Sequence, residues 1–322
     1  MRIGIVGAGI CGLSAGRTLH QAGHDVVLFE KDSQVGGRVA TARSKGFVWD
    51  TGATSIAPRG RTIQRVMAEE LRTGDLVEIT RPIYVHQGLR VAPGHPNRLG
   101  SRYTYRSGND TLPTLLVDGQ ELRLGVTVEC VETDGGGYLI GDERFDAVIL
   151  TPPVPQTAAL LWGLGESRPL APATYRACIS VNLGFHEPPP EVPYHALIDF
   201  ERRHPLTWLS LESLKSPGRA PEGGTAFGAQ LSPRFSVEHY RRSDAELVEA
   251  VLEFLERLYG PRYARPAASV VVRWKYAQPT GIASFDEVNP PGSRLLIASD
   301  GLLGGHVEDA YEVGRMAAAR LL

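Results

Sequence analysis

The apolar residues change their period several times along the chain, and each change marks an element. A short continuous run, Ile3-Gly4-Ile5-Val6, has the form of a buried parallel strand. Leu13, Ala15-Gly16, Leu19 and Ala22 follow at helical spacing, and Gly23 stands where a helix C-terminus favours a left-handed residue. Val26-Val27-Leu28-Phe29 is a second buried strand that ends in Glu30, so the first about thirty residues spell a βαβ unit. Alternation over Leu122 to Glu132, framed by Gly119 and Gly135-Gly136-Gly137, predicts a strand in a hairpin or meander. Ala147-Val148-Ile149-Leu150 is another buried strand, stopped by Thr151-Pro152-Pro153. Arg294 to Ala298 is strand-like. Val307, Ala310, Tyr311, Gly314, Ala317 or Ala318 and Leu321 then share one face of a final helix.

Different material lies between. Residues 56–112 and 158–284 hold short alternating runs, among them Cys178 to Phe185, Thr207 to Leu211 and Ser269 to Tyr276. The clearest helix there is Ser243 to Tyr259, opened by the capping box Ser243-Asp244-Ala245-Glu246. The pattern predicts an α/β plus α+β protein. A discontinuous Rossmann-type domain (1–55, 113–157 and 285–322) carries an inserted antiparallel-sheet domain (56–112 and 158–284), which is expected to receive the substrate.

Composition narrows the partners. With 322 residues, 42% hydrophobic and 22% charged, the chain reads as an ordinary globular protein. Lys+Arg 34 against Asp+Glu 36 leaves a net charge of −2, which argues against nucleic acid as a partner. Only Lys31, Lys45, Lys215 and Lys275 are lysines, and base composition accounts for the arginine excess. Cys11, Cys130 and Cys178 form no CxxC pair and the nine histidines no HExxH, so no metal site is expected. The longest apolar stretch, Ala147 to Leu164, is broken by Pro152, Pro153 and Pro155, so no membrane span is expected. These features predict a cytoplasmic protein acting on a small molecule, with its oligomeric state left open.

The glycines carry the chemistry. Gly7-x-Gly9-x-x-Gly12 follows a strand and opens a helix, and Glu30 lies 18 residues beyond Gly12. In that context Gly7 permits the tight turn, Gly9 lets backbone approach a pyrophosphate, and Gly12 lets helix pack on strand. The helix N-terminus attracts the phosphates, and Glu30 can accept from ribose hydroxyls. Gly36-Gly37-Arg38 and Asp50-Thr51-Gly52-Ala53 add further close-approach points. Ser299-Asp300-Gly301 supplies a carboxylate for a polyol, and Gly304-Gly305-His306-Val307-Glu308 opens a second helix. A single NAD site needs one helix dipole, whereas FAD uses two, one for its pyrophosphate and one for its ring. The motifs therefore favour FAD.

Residues 1–60 and 290–322 resemble the flavin amine oxidase superfamily, and within it the chain is most similar to bacterial renalase-like proteins. Supporting segments are Leu28-Phe29-Glu30-Lys31, Gly36-Gly37-Arg38, Trp49 to Ala53, Val148 to Gln156, Thr207-Trp208-Leu209, Arg273 to Gly281 and Gly305 to Leu322. The resemblance implies non-covalent FAD touched by Gly7, Gly9, Gly12, Glu30, Arg38, Val128, Asp300 and Val307, with Val128 acting through its backbone on adenine. Lys31, Gly37, Gly52 and Ala53, in the same motifs, complete the expected cofactor set. Three departures are visible. Ser299-Asp300 replaces the usual Gly-Asp, Thr54-Ser55-Ile56 replaces a polar-aromatic pair, and Gln230 opens a segment where relatives often carry histidine.

Renalase-like similarity implies hydride transfer from a dihydronicotinamide isomer to flavin N5, followed by reoxidation with O2 to give peroxide. Such a donor already holds its lone pair, so positioning matters more than a strong base. Trp274, Tyr276 and His306 are the expected catalytic residues, with Trp208 as a further pocket candidate. Trp274 and Tyr276, two apart on a strand, fit a core equally well, and Lys275 between them fits either a flavin-side or a solvated lysine. Within the same superfamily an amine oxidase or a desaturase is the alternative; outside it, a flavoprotein with no catalytic role. Gly12-Leu13-Ser14-Ala15-Gly16 matches G-x-S-x-G, but Ser14 lies past the turn, on the helix, which excludes a nucleophile elbow.

Overall fold

The computed structural model describes residues 1–94, 100–117 and 119–322. Residues 95–99 and 118, which belong to the expected segments 56–112 and 113–157, lie outside the described residues. The chain divides into two units, one of Met1–Val39, Leu112–Tyr175 and Gln278–Leu322, the other of Ala40–Thr111 and Arg176–Ala277. Residues 40–55 therefore pack with the second unit. Residues 158–175 and 278–284 pack with the first, the reverse of the sequence boundaries. The reason for 40–55 is local: Thr41–Ser44 and Phe47–Asp50 form a hairpin whose Phe47 and Trp49 bury against Ala226 and Ala268.

The first unit is built on five strands in the order Leu295–Ile297, Ala147–Leu150, Arg2–Val6, Asp25–Glu30 and Glu121–Leu124, and every pairing is parallel. Ile3, Ile5, Val27, Leu28, Val148 and Ile149 have no exposed surface, which is why these strands read as continuous apolar runs. Helix Ile10–Gln21 connects the first two strands and packs against the last helix, Val307–Ala319. That packing is tight. A Cβ at Gly314 would collide with the Cys11 carbonyl, and the Ser14 hydroxyl donates to the Tyr311 carbonyl at 2.5 Å. Ser14 is thus a helix-packing residue.

One expected strand is split. Leu122 to Glu132 is not a single element: Glu121–Leu124 joins the parallel sheet, and Glu132–Asp134 opens a separate antiparallel meander with Gly137–Ile140 and Glu143–Phe145. Between them Gly125 takes a positive φ of 72°, and Leu124 and Val126 are exposed, so the alternation there has no sheet face behind it.

The second unit holds a seven-stranded sheet in the order Ala268–Pro279, Tyr175–Phe185, Thr225–Leu231, Leu206–Leu211, Ala196–Ile198, Ile83–Gln87 and Arg90–Pro93. The pairings along Tyr175–Phe185, Thr225–Leu231, Leu206–Leu211 and Ala196–Ile198 are antiparallel, while Ala196–Ile198 meets Ile83–Gln87 in parallel. One face of this sheet is the core: Ile179, Val181, Leu183, Phe185, Leu209, Leu211, Phe227, Ala229 and Leu231 pack with Leu247, Val251 and Leu255. Full burial of such side chains contributes about 1.5–3 kcal/mol each. Leu247, Val251 and Leu255 lie on helix Asp244–Tyr259, whose capping box is formed, with Glu246 Oε2 accepting from the Ser243 amide at 2.9 Å.

Candidate cofactor site

In the first unit the glycine turn does what its spacing predicts. Gly7 has φ 100°, and a Cβ at Gly12 would collide with the Gly7 carbonyl, so this position admits only glycine without a shift. Gly9 is different. It is the N-cap of helix Ile10–Gln21, and a Cβ there would meet nothing within 4 Å. That helix has no side-chain cap and no acidic residue in its first turn, an arrangement suited to an anionic ligand. Gly36 pairs with Gly9 as an isolated bridge and donates to the Ala8 carbonyl at 2.9 Å, which lays Gly36-Gly37 against the turn.

Glu30 is buried, and its carboxylate organises the turn. Oε2 accepts from the Ala8 amide at 2.8 Å and Oε1 from the Asp32 amide at 3.0 Å. Each oxygen keeps a lone pair for a ribose hydroxyl. Lys31 is exposed and forks onto Asp32, and Val128 is half-buried in the stretch after Glu121–Leu124.

At the far end of the chain, Asp300 is a hub. Arg38 Nη1 donates to Oδ2 at 2.7 Å, and the Tyr175 hydroxyl donates to Oδ1 at 2.7 Å. The Tyr175 oxygen in turn accepts from the Gly301 amide at 3.1 Å. Burial acts to lower Arg38, but Asp300 outweighs it, and the guanidinium is held above its ordinary range. Burial and Asp300 both push the Tyr175 hydroxyl and the Cys11 thiol up, so each stays protonated. Tyr175 was not legible in the sequence: it begins a strand and belongs to no motif.

The second helix end carries acids of its own. Asp309 Oδ2 accepts from the His306 amide and contacts His306 Nδ1, both at 3.0 Å, while Glu308 is buried beside it in the first turn with Val307. The positive end of helix Val307–Ala319 is therefore met by the chain's own carboxylates. His306, with a half-exposed side chain, caps this helix.

The second unit carries the remaining candidates on the sheet face opposite its core. Trp208 lies directly across from Gln230, and Gln230 across from Ser180. Arg273, which bonds Asp244 of the covering helix, sets the strand's phase, so Trp274 and Tyr276 alternate onto the same face as Trp208. Trp274 Nε1 donates to the Thr51 carbonyl at 2.9 Å and Gln230 Nε2 to the Gly52 carbonyl at 2.7 Å. The Trp208 indole N–H is buried without a partner. Lys275 is exposed, its ammonium 5.3 Å over the Tyr276 ring.

Beside this face lies a charge cluster not singled out from the sequence. The fully buried Asp50 carboxylate accepts from Lys215 Nζ at 2.7 Å, Arg219 Nη2 at 2.8 Å, Thr41 Oγ1 at 2.8 Å and the Asn109 amide at 2.8 Å. Glu212, bonded by Ser210 Oγ at 2.6 Å and by Lys215, completes two positive and two negative groups. Burial opposes ionisation of Asp50, but Lys215 and Arg219 prevail and hold it at about 2. No group of three or more potential metal ligands occurs among the described residues. No helix among them is long and apolar enough to cross a membrane.

A parallel sheet with a glycine turn, an open helix N-terminus and a buried acid at the end of the second strand defines a dinucleotide-binding fold. The chain belongs to the flavin-containing amine oxidoreductase family, whose model matches residues 10–104 and 84–322. It is 29% identical over 163 residues to mouse amine oxidase [flavin-containing] B, and 46% identical over 56 residues to a 4,4'-diapophytoene desaturase of Staphylococcus haemolyticus. Those matches cover 50% and 17% of this chain but only 31% and 11% of the relatives' own length. Among solved structures, an assigned protoporphyrinogen oxidase from Exiguobacterium superposes with a TM-score of 0.83 at 18% identity, covering 99% of this chain and 98% of that one. Cyclohexylamine oxidase from Brevibacterium oxydans gives 0.77 at 14% identity with the same coverages. The family is one of flavin-containing oxidoreductases, and the glycine turn, the helix N-terminus and Glu30 of this chain suit a flavin dinucleotide.

Proposed function

We propose that the protein takes a hydride from a small donor whose nitrogen lone pair is already available, with a dihydronicotinamide isomer preferred and O2 as final acceptor. The observation that carries this reading is the second face of the antiparallel sheet. It brings together Trp208, Gln230, Trp274 and Tyr276, and positions 178, 180, 182, 208, 210, 228, 230, 270, 272, 274 and 276 contribute no carboxylate and no imidazole. The carboxylates beside it, Asp50 and Glu212, are taken up by Lys215, Arg219 and Ser210, so a donor that had to lose a proton first would find no available base there. One that needs only orientation would find aromatic faces and a free indole N–H.

When bound, FAD supplies the hydride acceptor, N5 of its ring. The chain's residues do the rest. The N-terminus of helix Ile10–Gln21 binds pyrophosphate, Glu30 takes ribose, and Arg38 with Tyr175 holds the Asp300 carboxylate in place. As a dihydropyridine loses hydride its ring becomes cationic, and the faces of Trp274 and Tyr276 are suited to that charge. The orphaned Trp208 N–H is suited to a carboxamide oxygen, a group dihydronicotinamides carry and simple amines lack. Oxidation of a neutral amine is the second reading, supported by the same aromatic pair.

Anaerobic mixing separates the two. Dihydronicotinamide isomers are expected to bleach the flavin absorbance within seconds, and Trp208→Phe to raise the KM for them about tenfold. Bleaching by small amines alone would transfer the assignment to amine oxidation. No bleaching by any donor would leave a flavoprotein without this activity.

A further inference from the structure

Three glycines near the C-terminus make room for the protein's own side chains. None of Gly301, Gly304 and Gly305 takes a positive φ, so the backbone conformation does not demand glycine there. The neighbours do. A Cβ at Gly301 would lie 2.7 Å from the Tyr175 hydroxyl, one at Gly304 would collide with the Asp309 carboxylate, and one at Gly305 with the Gln278 side chain. All these residues belong to the first unit.

Tyr175 holds one end of this segment. Its hydroxyl accepts from the Gly301 amide at 3.1 Å and donates to Asp300 Oδ1 at 2.7 Å, with Ser299 Oγ 3.0 Å away. Its ring lies under the Arg38 guanidinium, 5.8 Å from Cζ to the centroid, and Arg38 Nη1 donates to the other Asp300 oxygen. Tyr175 therefore touches both members of one ion pair, the cation with its ring and the anion with its hydroxyl.

Gln278 holds the other end, its Nε2 donating to the Gly305 carbonyl at 3.0 Å. Between the two grips, the Gly301 carbonyl accepts from the Ala283 amide at 2.9 Å and the Asp300 carbonyl from the Gly304 amide at 2.9 Å. The Thr280 amide donates to the Thr174 carbonyl at 2.7 Å, which ties the stretch carrying Gln278 to the one carrying Tyr175. The segment is thus fixed at Asp300-Gly301 and again at Gly305, just before helix Val307–Ala319 begins.

We propose that Tyr175 and Gln278 are positioning residues that fix residues 299–306, and with them the Asp300 carboxylate, in the conformation that receives the flavin dinucleotide. The proposal rests on the reading of Asp300 and Val307 as cofactor-binding and deepens it. Both side chains act through the segment they hold. Ser299, standing where the family usually has glycine, gains a task as well, since its hydroxyl lies within hydrogen-bond reach of both Tyr175 and Asp300.

The test uses the full-length protein stripped of FAD. Tyr175→Phe keeps the ring over Arg38 and loses the hydroxyl; Gln278→Ala removes the second grip and is combined with Gly305→Ala. FAD affinity, the visible spectrum of bound flavin and its reduction potential are measured, with thermal melts reporting that each variant is folded. Tyr175→Phe and Gln278→Ala are each expected to weaken FAD about tenfold and to shift the spectrum and potential. Gly305→Ala is expected to weaken FAD about tenfold in the wild-type background and far less in Gln278→Ala, where the collision is gone. An equal Gly305→Ala penalty in both backgrounds would show that this glycine serves the cofactor directly, and would overturn the role of Gln278. Wild-type affinity, spectrum and potential in Tyr175→Phe would overturn that of Tyr175, leaving the cofactor reading intact. Failure of the wild-type protein to bind FAD would overturn both.

Discussion

Gly9 and Gly12 stand three residues apart and meet opposite surroundings. A side chain at Gly12 has the Gly7 carbonyl in its way, whereas one at Gly9 meets no protein atom. Gly12→Ala should therefore destabilise the FAD-free protein by about 1–3 kcal/mol, through overpacking at the strand–helix junction. Gly9→Ala should leave the FAD-free melting curve unchanged or slightly raised, since φ −76° suits alanine, yet weaken FAD at least about tenfold. Thermal melts paired with FAD titrations read both effects. Equal loss of stability in the two variants would show that the turn is glycine-rich for packing alone. Both glycines were legible because a turn's needs are local. Tyr175 was not, since its partners Gly301 and Asp300 lie 126 and 125 residues away.

At the scale of elements, the parallel strands were readable because burial on both faces removes polar alternation. Leu122 to Glu132 misled because alternation continues through exposed residues past Leu124. The buried cluster left no pattern of its own: Asp50 stood in a motif read for its backbone, and Arg219, which reaches it across 169 positions, stood in none. Lys215→Met should cost about 3–5 kcal/mol, because it strands Asp50 and Glu212 in the interior with Arg219 alone. Chemical denaturation measures that loss. A cost near zero would mean that water reaches the cluster.

The same region sets a pH limit. Burial pushes His195 down to about 4, and the positive charges of Lys215 and Arg102 add to this, against a hydrogen bond to the Arg81 carbonyl. Its folded value lies below the ordinary 6.5, so the unfolded chain binds the proton first as pH falls. The contribution is complete above pH 6.5 and is lost progressively down to pH 4, by up to about 3 kcal/mol. His86, lowered by burial, acts in the same sense. His195→Gln should flatten the stability profile between those limits, and an unchanged slope would assign it to other groups.

Across the whole molecule, the expected fold class stands, while its boundaries move. Each unit is assembled from pieces distant in sequence, and the cofactor half draws on both the first and last forty residues. Composition spoke against a nucleic-acid partner but could not show that the helix beginning at Val307 answers its own dipole with Asp309. FAD binds only the folded chain, so at one hundred times its dissociation constant it should add about 2.7 kcal/mol of stability. The most direct test of the central claim is an equilibrium titration of the FAD-stripped protein with FAD, followed by absorbance. Saturation at one FAD per chain, with a perturbed flavin spectrum released on denaturation, is the predicted result. A colourless preparation that takes up no FAD at any concentration would contradict the account.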